Sequence, residues 1–218
     1  MEKSIENIWK EGFLKSDELV APKLNNLYNQ KSKHVIDKFK RMFKINLIAI
    51  VVFAILILVV TIFNGLPIIG ISWFLILIGL VVVNKKLTRN LEKIDYHKNS
   101  YEYLMSFNDW LQEQLAINRK MARLYYPLFF ISVVVGFWFV DAEGVSLGER
   151  LVGEVLYGFP DIYLIKGVPL IGIVFIIIIA GLLMLFGGRI YNLDVKIVYG
   201  RMFKKIKELI TDLEELRS

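Results

Sequence analysis

No charged residue occurs between Lys44 and Lys85, a run of 40 positions. A bilayer-spanning helix needs about 20 apolar residues, with about 17 as the short limit. The run is therefore too long for one span and right for two, with the turn at Asn64-Gly65-Leu66-Pro67. Asn-Gly breaks a helix, and Pro67 suits the first turn of the next one, where a missing N–H costs little. Two further uncharged stretches follow, 124–140 and 167–188. The expected fold is all-α: a polytopic membrane protein with four transmembrane helices at 45–63, 66–83, 124–140 and 168–186. The third is short and carries Pro127 near its start. A soluble fold would have to bury four all-round apolar helices within 218 residues. Residues 1–44 are polar and charged, so no cleavable signal pattern is expected and the first span would itself direct insertion.

Charge sets the expected orientation. Lys and Arg outnumber Asp and Glu by 10 to 6 before the first span, 8 to 5 between the second and third, and 7 to 5 after the fourth. In 141–166 the balance reverses, with 2 basic against 5 acidic residues. Twenty-five of the 27 basic residues thus fall on one side, which the positive-inside rule assigns to the cytoplasm. Both termini are then cytoplasmic, and 141–167 forms an outer loop. The net charge of +6 calls for no nucleic-acid partner, because insertion and anionic headgroups account for it.

A shift of 102 positions lays Gly65-Leu66-Pro67-Ile68-Ile69-Gly70-Ile71 on Gly167-Val168-Pro169-Leu170-Ile171-Gly172-Ile173, and Gly79-Leu80 on Gly181-Leu182. All three glycines and the single proline of each window coincide. The pattern reads as two parallel-repeat hairpins, related by a pseudo-twofold along the membrane normal. Gly70, Gly79, Gly172 and Gly181 are the expected points of close helix packing.

The expected domains are cytosolic N-terminal helices at 1–44, hairpins at 45–83 and 124–187, a cytosolic helical hairpin at 84–123 and a C-terminal helix at 188–218. Leu87, Leu91, Ile94, Lys98, Tyr101 and Met105 recur at spacings of four and three, a coiled-coil-like seam. Ser106-Phe107-Asn108-Asp109 reads as a capping box opening a new helix, continued by Leu111, Leu115 and Ala122. Tyr199, Met202, Ile206, Leu209, Leu213 and Leu216 stripe the tail, and Val35, Ile36, Phe39 and Phe43 stripe the N-terminal region. These stripes predict a helical bundle core. In the outer loop, Ser146-Leu147-Gly148-Glu149 is a second capping-box pattern, opening a short amphipathic helix.

Candidate functional residues are few. Lys31, Lys33, Lys38, Lys40, Arg41 and Lys44 form a basic helical run suited to anionic lipid, although topology determination alone explains it. Ile5, Ile8, Trp9 and Phe13 form an apolar-aromatic patch that fits a protein partner, the lipid interface or the bundle itself. His34 and His97 are isolated, whereas zinc needs three or four converging ligands, so no metal or cofactor is expected. Absence of cysteine excludes a disulfide scaffold and a thiol enzyme. No phosphate-binding loop, GxSxG or HExxH motif is present, and no small-molecule substrate is indicated.

Ile5-Glu6-Asn7-Ile8-Trp9-Lys10, followed by a basic helix and hydrophobic hairpins, resembles the small uncharacterised multi-span inner-membrane proteins of Bacteroidota, some encoded beside alternative sigma factors. That resemblance implies an inner-membrane location and an anti-sigma-like or other regulatory role. The combined expectation is a non-enzymatic membrane protein that acts through its cytosolic helices on another protein or on copies of itself. The alternative is a small transporter or channel protomer built from two-span repeats.

Overall fold

The computed structural model describes residues 5–91, 100–142 and 144–215, with side chains from residue 30 onward except at 90, 100 and 142. Four long helices, α1 (Ile5–Phe63), α2 (Pro67–Leu91), α3 (Ser100–Trp138) and α5 (Leu170–Glu215), run alternately up and down. Between α3 and α5 lie a short helix, α4 (Leu147–Gly158), and two strand pairs. Strand β1 (Asp141–Ala142) pairs antiparallel with β2 (Val145–Ser146), and β3 (Leu164–Ile165) pairs likewise with β4 (Val168–Pro169). One end of the molecule, here the loop side, carries the α1–α2 turn and α4. The opposite, terminal side carries the N-terminal end of α1 and the C-terminal end of α5.

All four long helices are long and apolar enough to cross a membrane. Their outward faces confirm what solvent they suit. Ile48, Val52, Phe53, Ile55, Leu56, Val59 and Val60 of α1 are exposed, as are Ile171, Val174, Phe175, Ile177 and Ile178 of α5. In hydrocarbon such faces are at no disadvantage, and a helix satisfies its own backbone there. The chain is a multi-pass membrane protein associated with a lipid bilayer.

The α1–α2 turn is built as the sequence predicts. Gly65 takes φ +73°, and the amide of Leu66 bonds the Thr61 carbonyl at 2.7 Å, closing the end of α1 before Pro67 opens α2. On the other hairpin, Lys166 and Gly167 both have positive φ, the pairing that a two-residue turn between β3 and β4 requires. The fourth span differs from expectation at its start: Val168 and Pro169 belong to β4, and α5 begins at Leu170. The Ser146 cap is present in full, with the Glu149 amide bonding Ser146 Oγ and Glu149 Oε2 accepting from the Ser146 amide, both at 3.2 Å.

One expected helix boundary does not exist. Ser106–Asp109 lies inside α3 rather than opening a helix. Asn84 of α2 meets Asn118 of α3, and the Leu87 carbonyl meets the Trp110 indole, so α3 runs antiparallel to α2 through this region. Leu104, Phe107 and Leu111 share one face of α3 and are almost wholly buried, and their burial overrides the local capping preference of Ser106. Pro127 also lies inside α3, and α1 runs unbroken through Pro22. Of the predicted seam, Leu91 is buried and Tyr101 packs on the core, whereas Ile94 and Lys98 lie outside the described residues.

The stripes do meet on the terminal side. Ile36 and Phe39 of α1, Leu91 of α2, Leu104, Phe107 and Trp110 of α3, and Tyr199, Met202, Ile206, Leu209 and Leu213 of α5 form one cluster. Phe39 is its hub. Its ring lies 5.4 Å from Phe107, 5.5 Å from Tyr199, 6.0 Å from Phe43 and 6.3 Å from Trp110. Those spacings suit edge-on and offset aromatic contacts.

Candidate functional site

Polar side chains converge where the aromatic core gives way to the spans. On α3, Gln114 and Asn118 sit one turn apart on the same face as Leu111, so the burial of that face carries both inside; Gln114 is 3% exposed and Asn118 6%. Across from them, Asn84 of α2 organises three bonds. Its Oδ1 accepts from Gln114 Nε2 at 2.7 Å and from Asn118 Nδ2 at 3.0 Å, while its Nδ2 donates to Asn118 Oδ1 at 3.1 Å. Asn84 Nδ2 also donates to the Leu80 carbonyl at 2.8 Å. Gln114 Oε1 is left buried without a partner. Neutral amides interlocked in this way fix the register of two helices, since each unmade bond would leave a polar group dry.

A second link joins α1 to α5, where Asn46 Nδ2 donates to the Tyr199 hydroxyl oxygen at 3.0 Å. A third joins α3 to α5, from the Tyr126 hydroxyl to Asp194. Together these groups frame a cavity of about 260 Å³ lined by Asn46, Asn84, Gln114, Asn118, Asp194 and Tyr199 beside apolar and aromatic side chains. On α1 and α2 its lining reaches only to Ile50 and Leu80. Ile50 is 13 residues short of Phe63, about 20 Å of helix. Toward the loop side the polar atoms turn inward on their own helices: Thr61 Oγ1 donates to the Ile57 carbonyl at 2.7 Å and Ser132 Oγ to the Phe129 carbonyl at 2.8 Å. The cavity is thus confined to this level, its walls mostly apolar and aromatic, with Gln114 Oε1 the buried acceptor left free beside it.

Two further hollows flank the helix pairs. Between α1 and α2 a groove of about 600 Å³ carries Lys40, Lys44, Lys85 and Arg89 above apolar walls. Between α3 and α5, Arg119, Arg123 and Arg189 border a hollow of about 440 Å³ with Asn192. Gly187 underlies this second cluster: a Cβ there would stand 2.8 Å from the Ala122 carbonyl oxygen, so the two backbones touch.

The sequence candidates separate in space. Lys40 and Lys44 line the α1–α2 groove, whereas Lys31, Lys33, Lys38 and Arg41 do not. Ile5, Ile8, Trp9 and Phe13 belong to α1, but their side chains lie outside those described. Of the four repeat glycines, only Gly70 sits at a close approach, where an added Cβ would collide with Thr61. At Gly79, Gly172 and Gly181 a Cβ would meet nothing within 4 Å, so they form no helix contact within the chain. The close approaches beside Gly70 belong to Gly136 against Ile69, Gly148 against Trp138, and Gly187 and Gly188 against α3. Sequence reasoning missed these, and it missed the Asn84–Gln114–Asn118 interlock. The usable signal for the latter was two amides four residues apart on an apolar stripe. His34 is exposed on α1, and His97 lies outside the described residues. Among the described residues no group of three or more His, Asp or Glu is placed to hold a metal.

Comparison with models of known protein families, with curated proteins and with solved structures returns no match for this chain.

Proposed function

We propose that this chain is a non-enzymatic inner-membrane protein, with both termini in the cytoplasm, whose cytosolic helices serve as an interaction or assembly surface. The orientation rests on the basic residues gathered on the terminal side. One observation carries the functional reading. Beyond Arg189, α5 turns Tyr199, Met202 and Ile206 into the bundle, yet it leaves Leu193 and Ile197 on the opposite face, Ile197 at 83% exposure. Large apolar side chains in line on an uncovered helix face are what a partner helix would cover. The resemblance noted above gives this surface a regulatory, anti-sigma-like reading, and the hairpins at 45–83 and 124–187 are read as sister copies. The left-handed conformations of Gly65 and Gly167 support that duplication.

A photo-crosslinking residue at Ile197, introduced in cells, is expected to give one discrete adduct, either a dimer of the chain or a complex with a second protein. Absence of any adduct at Ile197 and at Trp9, with a monomer in mild detergent, overturns the proposal.

A transporter or channel protomer is the second reading, and the cavity with its unpartnered Gln114 Oε1 is the observation in its favour. It ranks second because on α1 and α2 the polar lining ends at Asn46 and Asn84 and the cavity itself at Ile50 and Leu80. Flux of a small polar solute into proteoliposomes, abolished by Gln114→Leu, would move it first.

A further inference from the structure

The groove between α1 and α2 combines two features that a single class of molecule answers. Phe63 and Pro67 are joined by a tight turn, so residues at near-equal distances from it share a height on the two helices. Lys44 therefore faces Lys85, Lys40 faces Arg89, and one turn deeper Ile48 faces Val81. All six line the groove, and no carboxylate is among its lining residues. Lys44 and Lys85, like charges at one height of the groove, repel, and an anion between them or solvent relieves the repulsion. Solvent is scarce below this level, where Leu47, Val51 and Val52 continue as apolar wall.

We propose that this groove seats a phospholipid of net negative headgroup, its phosphate between Lys44 and Lys85 and one acyl chain along Leu47 and Val51. Charge and shape select together. A zwitterionic headgroup would bring its own ammonium beside Lys44 and Lys85, and a free anion would leave the apolar wall uncovered. The volume of about 600 Å³ accommodates a headgroup and the upper part of one chain, not a whole lipid. The surface attraction expected for the basic run in general is nonspecific, whereas this seat depends on two cations from α2 that the run does not contain.

The test places the full chain in nanodiscs of equal phosphatidylglycerol and phosphatidylethanolamine and reads retained lipid by native mass spectrometry. The wild type is expected to retain phosphatidylglycerol preferentially. Lys44→Gln with Lys85→Gln, both exposed side chains, should cut that preference by roughly fivefold per charge removed. Lys38→Gln with Lys86→Gln, two exposed cations of the same helices outside the groove, should leave it within about twofold. Val51→Trp fills the apolar wall and should lower retention while every cation remains. Equal loss in both charge pairs reduces the effect to surface attraction and overturns the proposal. Displacement of the lipid by millimolar inorganic phosphate, or full retention in Val51→Trp, overturns it as well, by showing a headgroup-only anion site.

Discussion

Where α3 meets α5, the Gly187 backbone lies against the Ala122 carbonyl, and Arg119, Arg123 and Arg189 border a hollow of about 440 Å³ beside that contact; where α1 meets α2 at similar depth, four cationic side chains border a groove of about 600 Å³. Both are antiparallel pairs of apolar helices, so hydropathy does not separate them. Side-chain size at the crossing point does. Glycine lets two backbones touch, and in lipid, where apolar burial gives no advantage, that contact is the main source of attraction. The α1 and α2 segments that line the groove bring no glycine to this depth, and the groove there is the lipid seat proposed above. One pair thus touches through its own backbones at this level, and the other is completed by its surroundings.

Phe39 ties the two pairs together, since its ring touches Phe107 and Trp110 of α3 and Tyr199 of α5 from α1. Phe39→Ala should therefore have the largest effect, a loss of about 3–5 kcal/mol in unfolding monitored by tryptophan fluorescence in detergent. A loss below about 1 kcal/mol would mean that the pairs stand independently. Next comes the backbone contact between α3 and α5. Gly187→Leu must push α3 and α5 apart and should cost about 3 kcal/mol, whereas Gly181→Leu, with open space around it, should stay within about 0.5 kcal/mol. Equal effects at the two positions would remove the distinction drawn between them.

The amide interlock holds α2 to α3 and so joins one pair to the other. Asn84→Ala leaves the Gln114 and Asn118 amides short of partners, and a loss of about 1–2 kcal/mol is expected. Asn84→Asp keeps the acceptor but removes the donor to Asn118 Oδ1 and places a carboxylate in a confined site, so it should not rescue. Chemical denaturation of the three proteins side by side measures both effects.

What the sequence disclosed depended on the range over which each feature is determined. The spans were legible because exclusion of charge is a property of each segment alone, and the Asn64–Gly65 turn and the Ser146 cap are likewise local. The Phe39 stripe was legible as core because its period requires burial against something. Ser106–Asp109 misled because a cap competes with tertiary burial, and Phe107 in the middle of that motif is fully buried. The amide interlock and the Lys85–Arg89 wall of the groove were hidden for a different reason. They arise from the register between helices, which no single helix encodes. The recurring glycines teach the same lesson: Gly79, Gly172 and Gly181 were expected at helix contacts, yet a Cβ there would meet nothing within 4 Å, while Gly136 and Gly187 carry the contacts.

The smallest effect gives the sharpest comparison, because it predicts opposite signs at aligned positions. Alanine at an unobstructed helical glycine gains up to about 1 kcal/mol from reduced backbone freedom in the unfolded chain. Gly172→Ala should therefore stabilise slightly, since nothing lies near its Cβ. At Gly70 the added methyl meets Thr61 Oγ1, with the Leu58 Cα at 3.4 Å behind it. Thr61 must rotate and give up its bond to the Ile57 carbonyl, which offsets the gain and should leave Gly70→Ala destabilised by about 0.5–1 kcal/mol. Thr61→Ala clears the obstruction, so in that background Gly70→Ala should become neutral or stabilising, a coupling measurable by a double-mutant cycle in detergent. Additive behaviour of the two substitutions would show that Thr61 and Gly70 do not meet, and the turn-side closure of α1 on α2 would then need another cause.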